Sequence, residues 1–266
     1  MWVDVMWGDI AKIRAQAPLV HNITNYVVMN TTANALLAIG ASPVMAHAVE
    51  EVEEMAGFAA ALVLNIGTLS QPWVDAMMKA GLVARRRGIP IVLDPVGAGA
   101  TRLRTDVCMR LLRELTPTIV RGNASEIRAL AGADHATKGV DSTHASDAAL
   151  EAAQALSLAY GSVVSVSGAT DLIVHGSSLA RVKNGVPLMT RVTGTGCTAS
   201  ALTGAFAAVG SSPFHAAAYA MCTLGIAGEL AAEKCAGPGS LQMHLTDALH
   251  LLRKEDVQAR AQLEIL

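Results

Sequence analysis

The chemistry in this sequence centres on Gly194-Thr195-Gly196-Cys197, where two glycines flank a threonine and a run of small, helix-compatible residues continues through Phe206. The first N–H groups of a helix have no partner within it, and the aligned peptide dipoles place partial positive charge there. Glycine lets a bulky anion approach the backbone. Gly194, Thr195 and Gly196 therefore read as a cradle for a transferring phosphoryl group, with Cys197 on the first turn pointing into the same space. A free cysteine also serves as a small buried hydrophobe, so the stretch needs companions elsewhere.

The companions follow predicted strands. Asp94 succeeds Ile91-Val92-Leu93, Arg121 succeeds Thr118-Ile119-Val120, and Glu126 closes Gly122-Asn123-Ala124-Ser125-Glu126. Two carboxylates at one sheet edge suit a hydrated Mg²⁺, held directly or through water. An arginine beside them offsets charge on nucleotide phosphates. A metal, a cation, oriented N–H groups and a residue facing the acceptor are the parts of phosphoryl transfer. Each has a plainer use: Asp94 as a turn residue before Pro95, Glu126 as the acid of a first helical turn. Their joint placement points to phosphoryl transfer. Gly97-Ala98-Gly99-Ala100-Thr101-Arg102 puts an arginine where a dinucleotide fingerprint needs a small residue, and it reads as a turn.

These positions require a scaffold, and the alternation of elements supplies one. An amphipathic helix from about Val5 to Gln16 stops at Pro18. The segment from Pro18 to Val27 is polar and irregular, and Asn25 suits either the cap of a helix running to Ile39 or an amide facing a ligand. Ser42 to Ala46 reads as a strand, followed by an acidic, solvated helix bearing Glu50, Glu51, Glu53 and Glu54. Continuous apolar runs at 60–66 and 89–93 fit strands buried on both faces. A helix over about 72–87 lies between them, and another over 104–115 follows. Strands at 118–121 and 162–167 alternate with helices after Asn123 and over 146–160. A hairpin turns at Gly176-Ser177 between Leu172–His175 and Leu179–Val182, and the Gly-Cys helix and two more end the chain. The pattern predicts a mostly parallel central sheet with helices on both faces, as one domain over 1–266. Ligands of such sheets bind outside the carboxyl ends of the strands, where Asn65, Asp94, Arg121 and Ser167 fall.

Composition narrows the class. Of 266 residues, 52% are apolar but only 3% aromatic, so the core is aliphatic and closely packed. The net charge of −2 with no basic region argues against nucleic acid as a partner. Arg85-Arg86-Arg87 reads as a solvated helix end. Cys108, Cys197, Cys222 and Cys235 lack zinc or disulfide-framework spacing. No signal peptide is evident, and the Ala-rich 214–232 stretch, with His215 and Glu229, suits a buried or subunit-facing helix better than a membrane span. A cytoplasmic protein without a membrane partner is expected.

In combination, several motifs resemble the hydroxyethylthiazole kinase family within the ribokinase-like superfamily. They are His21-Asn22-Ile23-Thr24-Asn25, the run from Asn34 through Gly40-Ala41-Ser42-Pro43-Val44-Met45, Asp94-Pro95-Val96-Gly97-Ala98-Gly99, Arg121-Gly122-Asn123-Ala124-Ser125-Glu126, and Gly194-Thr195-Gly196-Cys197. The resemblance covers nearly the whole chain and implies a ribokinase-like three-layer sandwich. Its implied reaction is ATP-dependent phosphorylation of 5-(2-hydroxyethyl)-4-methylthiazole in thiamine salvage. It further implies ATP contacts at Arg121 and Ser167, Mg²⁺ and phosphate handling at Asn123 and Glu126, thiazole contacts at Met45 and Gly194, and a homotrimer with sites near subunit interfaces. A cysteine at position 197, where most of the superfamily has aspartate, marks the thiazole kinases. Thr198-Ala199-Ser200 and Val49 depart from the family's pattern, with no expected effect on the chemistry.

A cysteine suffices at that position because the attacking alcohol loses its proton late, so placement outweighs base strength. The helix N-terminus is expected to lower the thiol below its usual ~8.5 and an adjacent ATP to raise it again. Cys197 is thus a positioning group and modest base rather than a covalent nucleophile. Met45 offers an adaptable wall for a small apolar ring, or plain core packing, and Asn25 an amide anchor. No inserted strand pair resembles a sugar-kinase lid, so a neighbouring subunit is expected to exclude water. The rival readings are another small-alcohol kinase, such as one for hydroxymethylpyrimidine, and a silent nucleotide sensor.

Overall fold

Residues 2–133, 145–210 and 212–266 are described by a computed structural model. In chain order it contains α1 (Trp2–Gln16), β1 (Leu19–Ile23), α2 (Met29–Ile39), β2 (Ser42–Val44), α3 (Val52–Phe58), β3 (Ala61–Asn65), α4 (Gln71–Arg87) and β4 (Ile91–Asp94). There follow α5 (Arg102–Leu115), β5 (Ile119–Asn123), α6 (Ala124–Ala133), α7 (Ala145–Tyr160), β6 (Val163–Ser167), β7 (Asp171–His175) and β8 (Ser178–Val182). The chain ends with α8 (Thr195–Ala208), α9 (Pro213–Ala232), α10 (Pro238–Leu251), α11 (Lys254–Arg260) and β9 (Leu263–Ile265).

The strands form one sheet in the order β2-β1-β3-β4-β5-β6-β7-β8-β9, parallel from β2 to β6 and antiparallel thereafter. Because side chains alternate across a strand, each apolar run feeds two cores. Val63, Val92 and Ile119 join a cluster with α1, α2, α8, α9 and α10. Leu62, Leu64, Ile91, Leu93 and Val120 join the opposite cluster, built on α3 to α7. The result is the expected three-layer sandwich.

Helix α8 lies directly on the sheet. A Cβ at Gly204 would sit 2.8 Å from Val63 Cγ2 and 3.2 Å from Val20 Cγ1, so only glycine permits this approach. Every residue from Thr198 to Phe206 is buried. The packing on β1, β3 and β4 carries the helix N-terminus to the carboxyl ends of those strands.

Three expectations are corrected. The segment read as irregular contains β1, a strand paired on both sides. Its buried His21 and Asn22 hide the apolar pattern, and His21 Nε2 pairs with Ala46 O at 2.7 Å while Asn22 Nδ2 donates to Val20 O at 2.9 Å. Three helices rather than two follow α8, and the chain closes with β9, which pairs Leu263 with Val182 of β8. Arg85 and Arg87 are not merely solvated: Arg85 Nη1 donates to Glu114 O, and Arg87 Nη1 to Ala56 O and Ala59 O. Among the described residues, no helix is long and apolar enough to cross a membrane, and every strand belongs to this one sheet.

Candidate active site

A cleft of about 870 Å³ opens at the carboxyl ends of the parallel strands. Asn25, Asp94, Arg121, Glu126, Ser167, Gly194, Thr195, Gly196 and Cys197 all line it. Distant stretches meet here because α8 and the ends of β3 to β6 share one edge.

Gly194 caps α8 in the left-handed region at φ 85°, and its missing Cβ leaves room for Val28 Cγ1, which would otherwise lie 2.7 Å away. The first turn therefore presents its N–H groups to the cleft. A Cβ on Gly196 would fall 2.7 Å from Arg121 Nη1, so the guanidinium is held against that same turn. Arg121 is buried, and its Nε has no hydrogen-bond partner among the described residues. A cation and a helix N-terminus side by side, with a donor unspent, have the chemistry that suits an anion such as phosphate.

Glu126 belongs to a capping box. Its Oε2 accepts from Asn123 N at 2.8 Å, while Asn123 Oδ1 accepts from Glu126 N at 3.0 Å. Oε1 accepts from Gly97 N at 2.8 Å, which gives the Gly97 turn a role beyond connection. The plain reading and the functional one thus coincide: the box that starts α6 also fixes a carboxylate in the cleft wall.

Asp94 is 1% exposed, and its Oδ2 accepts from Asn65 Nδ2 and from Ser200 Oγ, both at 2.8 Å. Burial pushes its carboxyl up to about 6, against the pull of Arg121, Ser200 and Asn65. Asp171, also in the cleft wall, is raised to about 6 by burial although Gly168 N donates to it. Three carboxylates and one guanidinium therefore share the wall. Carboxylates in that number repel an anion unless a cation offsets their charge. Among the described residues, no group of three or more His, Cys, Asp or Glu side chains is arranged to cage a metal. The donor set would suit a hydrated Mg²⁺, an ion that keeps most of its waters.

Cys197 Sγ accepts from Asn65 Nδ2 at 3.2 Å and from Asn25 Nδ2 at 3.5 Å. The expected lowering of the thiol does not occur. Burial, then the charge of Asp94, pushes it up to about 11, and the two amides, with Arg121, do not offset this.

Asn25 does not cap α2, whose N-cap is Val28. Its Oδ1 accepts from Val27 N, and its Nδ2 is shared between Cys197 and Asn65. Met45 is half-buried on the loop after β2 and lies outside the walls of the cleft. Two residues gain roles that sequence reasoning missed. Asn65 was legible only as a polar strand end. Ser200, noted as a departure without chemical effect, donates to Asp94 because position 200 is one helical turn beyond the cradle and faces β4.

Comparison with known proteins gives the family and the fold. The sequence profile of the hydroxyethylthiazole kinase family matches residues 10–255. A protein of Syntrophus aciditrophicus (strain SB) named hydroxyethylthiazole kinase is 61% identical over 255 residues, covering 96% of this chain and 94% of its own. One of the same name from Oleidesulfovibrio alaskensis is 58% identical over 254 residues, covering 96% of each. The solved structure of a hydroxyethylthiazole kinase protein from Pyrococcus horikoshii OT3 superposes with a TM-score of 0.93 at 44% identity over 99% of both chains. Pyridoxal kinase from Staphylococcus aureus, in complex with AMP-PCP and pyridoxal, shares the fold alone, with a TM-score of 0.65 at 15% identity over 94% of this chain and 98% of its own.

Proposed function

The chain belongs to the hydroxyethylthiazole kinase family, and from that premise we propose that its cleft phosphorylates the hydroxyl of 5-(2-hydroxyethyl)-4-methylthiazole with ATP, in thiamine salvage. One observation carries the reading. The amide-lined start of α8, the Arg121 guanidinium, two carboxylates from β4 and α6, and Cys197 face a single cleft.

In the proposed reaction the alcohol oxygen bonds to the γ-phosphorus as the bond to the bridging oxygen breaks, releasing ADP. The hydroxyl proton leaves late, passing to an oxygen of the transferred phosphoryl group as the new O–P bond completes. The N–H groups of Thr195 and Gly196, with Arg121, neutralise charge on the transferring group. Ser167, also in the cleft wall, would contact the nucleotide. Asp94 and Glu126 would hold Mg²⁺, largely through water, and the ion would neutralise phosphate charge. Cys197, protonated at neutral pH, positions the acceptor oxygen rather than abstracting its proton. Gly194 and Asn25 shape the acceptor end beside Val27 and Val28.

We further propose a homotrimer in the cytoplasm. Met45 lies beyond the cleft at edge strand β2, and Val27, a cleft-wall residue, is 64% exposed. A neighbouring subunit covering both would bring Met45 to a thiazole ring and exclude water. The four cysteines are free, which suits a reducing compartment.

The test is a coupled ADP-release assay with Mg-ATP and a panel of alcohols that includes the thiazole, hydroxymethylpyrimidine and pyridoxal. The thiazole alcohol should give the highest kcat/KM. Preference for the pyrimidine alcohol, or no turnover with any, would overturn the reading. Cys197→Asp should retain substantial activity, whereas wild-type kcat in Cys197→Ala would remove the sulfur from the mechanism. Sedimentation should give a trimer, and a catalytically competent monomer would contradict the shared site.

A further inference from the structure

We propose that Asn65 is a positioning residue for phosphoryl transfer: with Asn25 it fixes the Cys197 sulfur, and it ties that sulfur to the Asp94 carboxylate. The inference rests on the kinase reading above and identifies what holds its acceptor-facing group.

Asn65 ends β3 and is 1% exposed. A carboxamide offers two N–H donors and an oxygen with two lone pairs, and Asn65 spends all four. Its Nδ2 donates to Asp94 Oδ2 at 2.8 Å and to Cys197 Sγ at 3.2 Å. Its Oδ1 accepts from Gly67 N at 3.0 Å and from Asn25 Nδ2 at 2.9 Å. These partners allow one orientation of the amide. Flipped, it would set N–H against the Gly67 N–H and oxygen against a carboxylate oxygen.

The same logic fixes Asn25. Val27 N, 3.1 Å away, claims its Oδ1, so both its N–H groups turn inward, one to Asn65 and one to Cys197 Sγ at 3.5 Å. Gly67 leaves the room for this, since a Cβ there would lie 2.7 Å from Asn25 Nδ2. Two N–H groups, each locked by its own partners, therefore converge on one sulfur. The thiol proton has to point away from them, and the sulfur loses the rotational freedom that a cysteine on an open first turn would have. Placement of a reacting group governs the rate of this chemistry, so the effect belongs in kcat.

A double-mutant cycle reads this directly. The ADP-release assay is run on wild type, Asn65→Ala, Cys197→Ala and the double variant, with folding checked by circular dichroism. Asn65→Ala should lower kcat by about 10- to 100-fold while KM for ATP and for the thiazole alcohol changes by less than about threefold. In the Cys197→Ala background the same substitution should cost markedly less, leaving only its effect through Asp94. Asn25→Ala serves in the same cycle should Asn65→Ala fold poorly. Equal factors in both backgrounds, or wild-type kcat in Asn65→Ala, would overturn the inference and leave the kinase reading intact. Absence of turnover by the wild type would instead remove the kinase reading and this inference with it.

Discussion

Replacing Asp94 with asparagine should make the metal-free protein more stable and the enzyme inactive. Asp94 is 1% exposed, and its carboxyl is raised from an ordinary 3.8 to about 6, chiefly by burial and secondarily by Glu126. A carboxyl raised on folding binds its proton more tightly in the folded state. The stability it contributes is thus fully present below about pH 4 and is lost as pH rises through about 6. The rise corresponds to roughly 3 kcal/mol at neutral pH. Asparagine keeps the shape and an oxygen that can accept from Asn65 and Ser200, so it removes the charge without leaving a hole. In EDTA at pH 8, Asp94→Asn should melt roughly 5–10 °C above wild type, and the gap should narrow progressively below pH 6. Turnover should fall by about 100-fold or more through the lost carboxylate. Urea unfolding and thermal melts at half-unit pH steps from 5 to 8 measure the gap. A variant less stable than wild type at pH 8, or a gap constant with pH, would refute the argument that burial of this charge costs stability.

Glu126→Gln leaves one oxygen where Gly97 N and Asn123 N both need an acceptor. It should cost about 1–3 kcal/mol in urea unfolding and raise the Mg²⁺ concentration required for half-maximal rate. Gly196→Ala puts a methyl 2.7 Å from Arg121 Nη1, so initial rates should show KM for ATP raised about tenfold, one lost phosphate contact being worth about that, with KM for the alcohol little changed. Ser200→Ala removes a hydrogen bond that lowers the Asp94 carboxyl. Its titration should therefore move up, and the loss of kcat should be larger at pH 6 than at pH 8.

Much of the fold was legible because apolar runs such as Ala61–Asn65 and Ile91–Asp94 carry burial on both faces in the local sequence. Strand β1 was not, because its His21 and Asn22 are buried polar residues that only pairing with β2 and β3 explains. Three-residue β9 has no pattern of its own and exists because β8 offers an open edge. In the site, Asp94, Arg121, Glu126 and the Gly194–Cys197 turn were visible as polar interruptions after apolar runs, and the cleft gathers them. Met45, expected among them, lies outside its walls.

The alternation of elements, the residue types at the strand ends and the glycine cradle are local properties of the chain, since they follow from periodicity and backbone freedom. How those groups behave is set by the folded arrangement around them. Cys197 at a helix N-terminus should have a lowered thiol by local reasoning, yet burial beside Asp94 raises it to about 11. Asn65 and Ser200 look like ordinary polar residues until the β3–β4 register sets the first beside Asp94 and the approach of α8 brings the second to it. Desolvation and hydrogen-bond direction depend on what surrounds a group in space, and neighbours from 29 and 106 residues away along the chain supply those surroundings here.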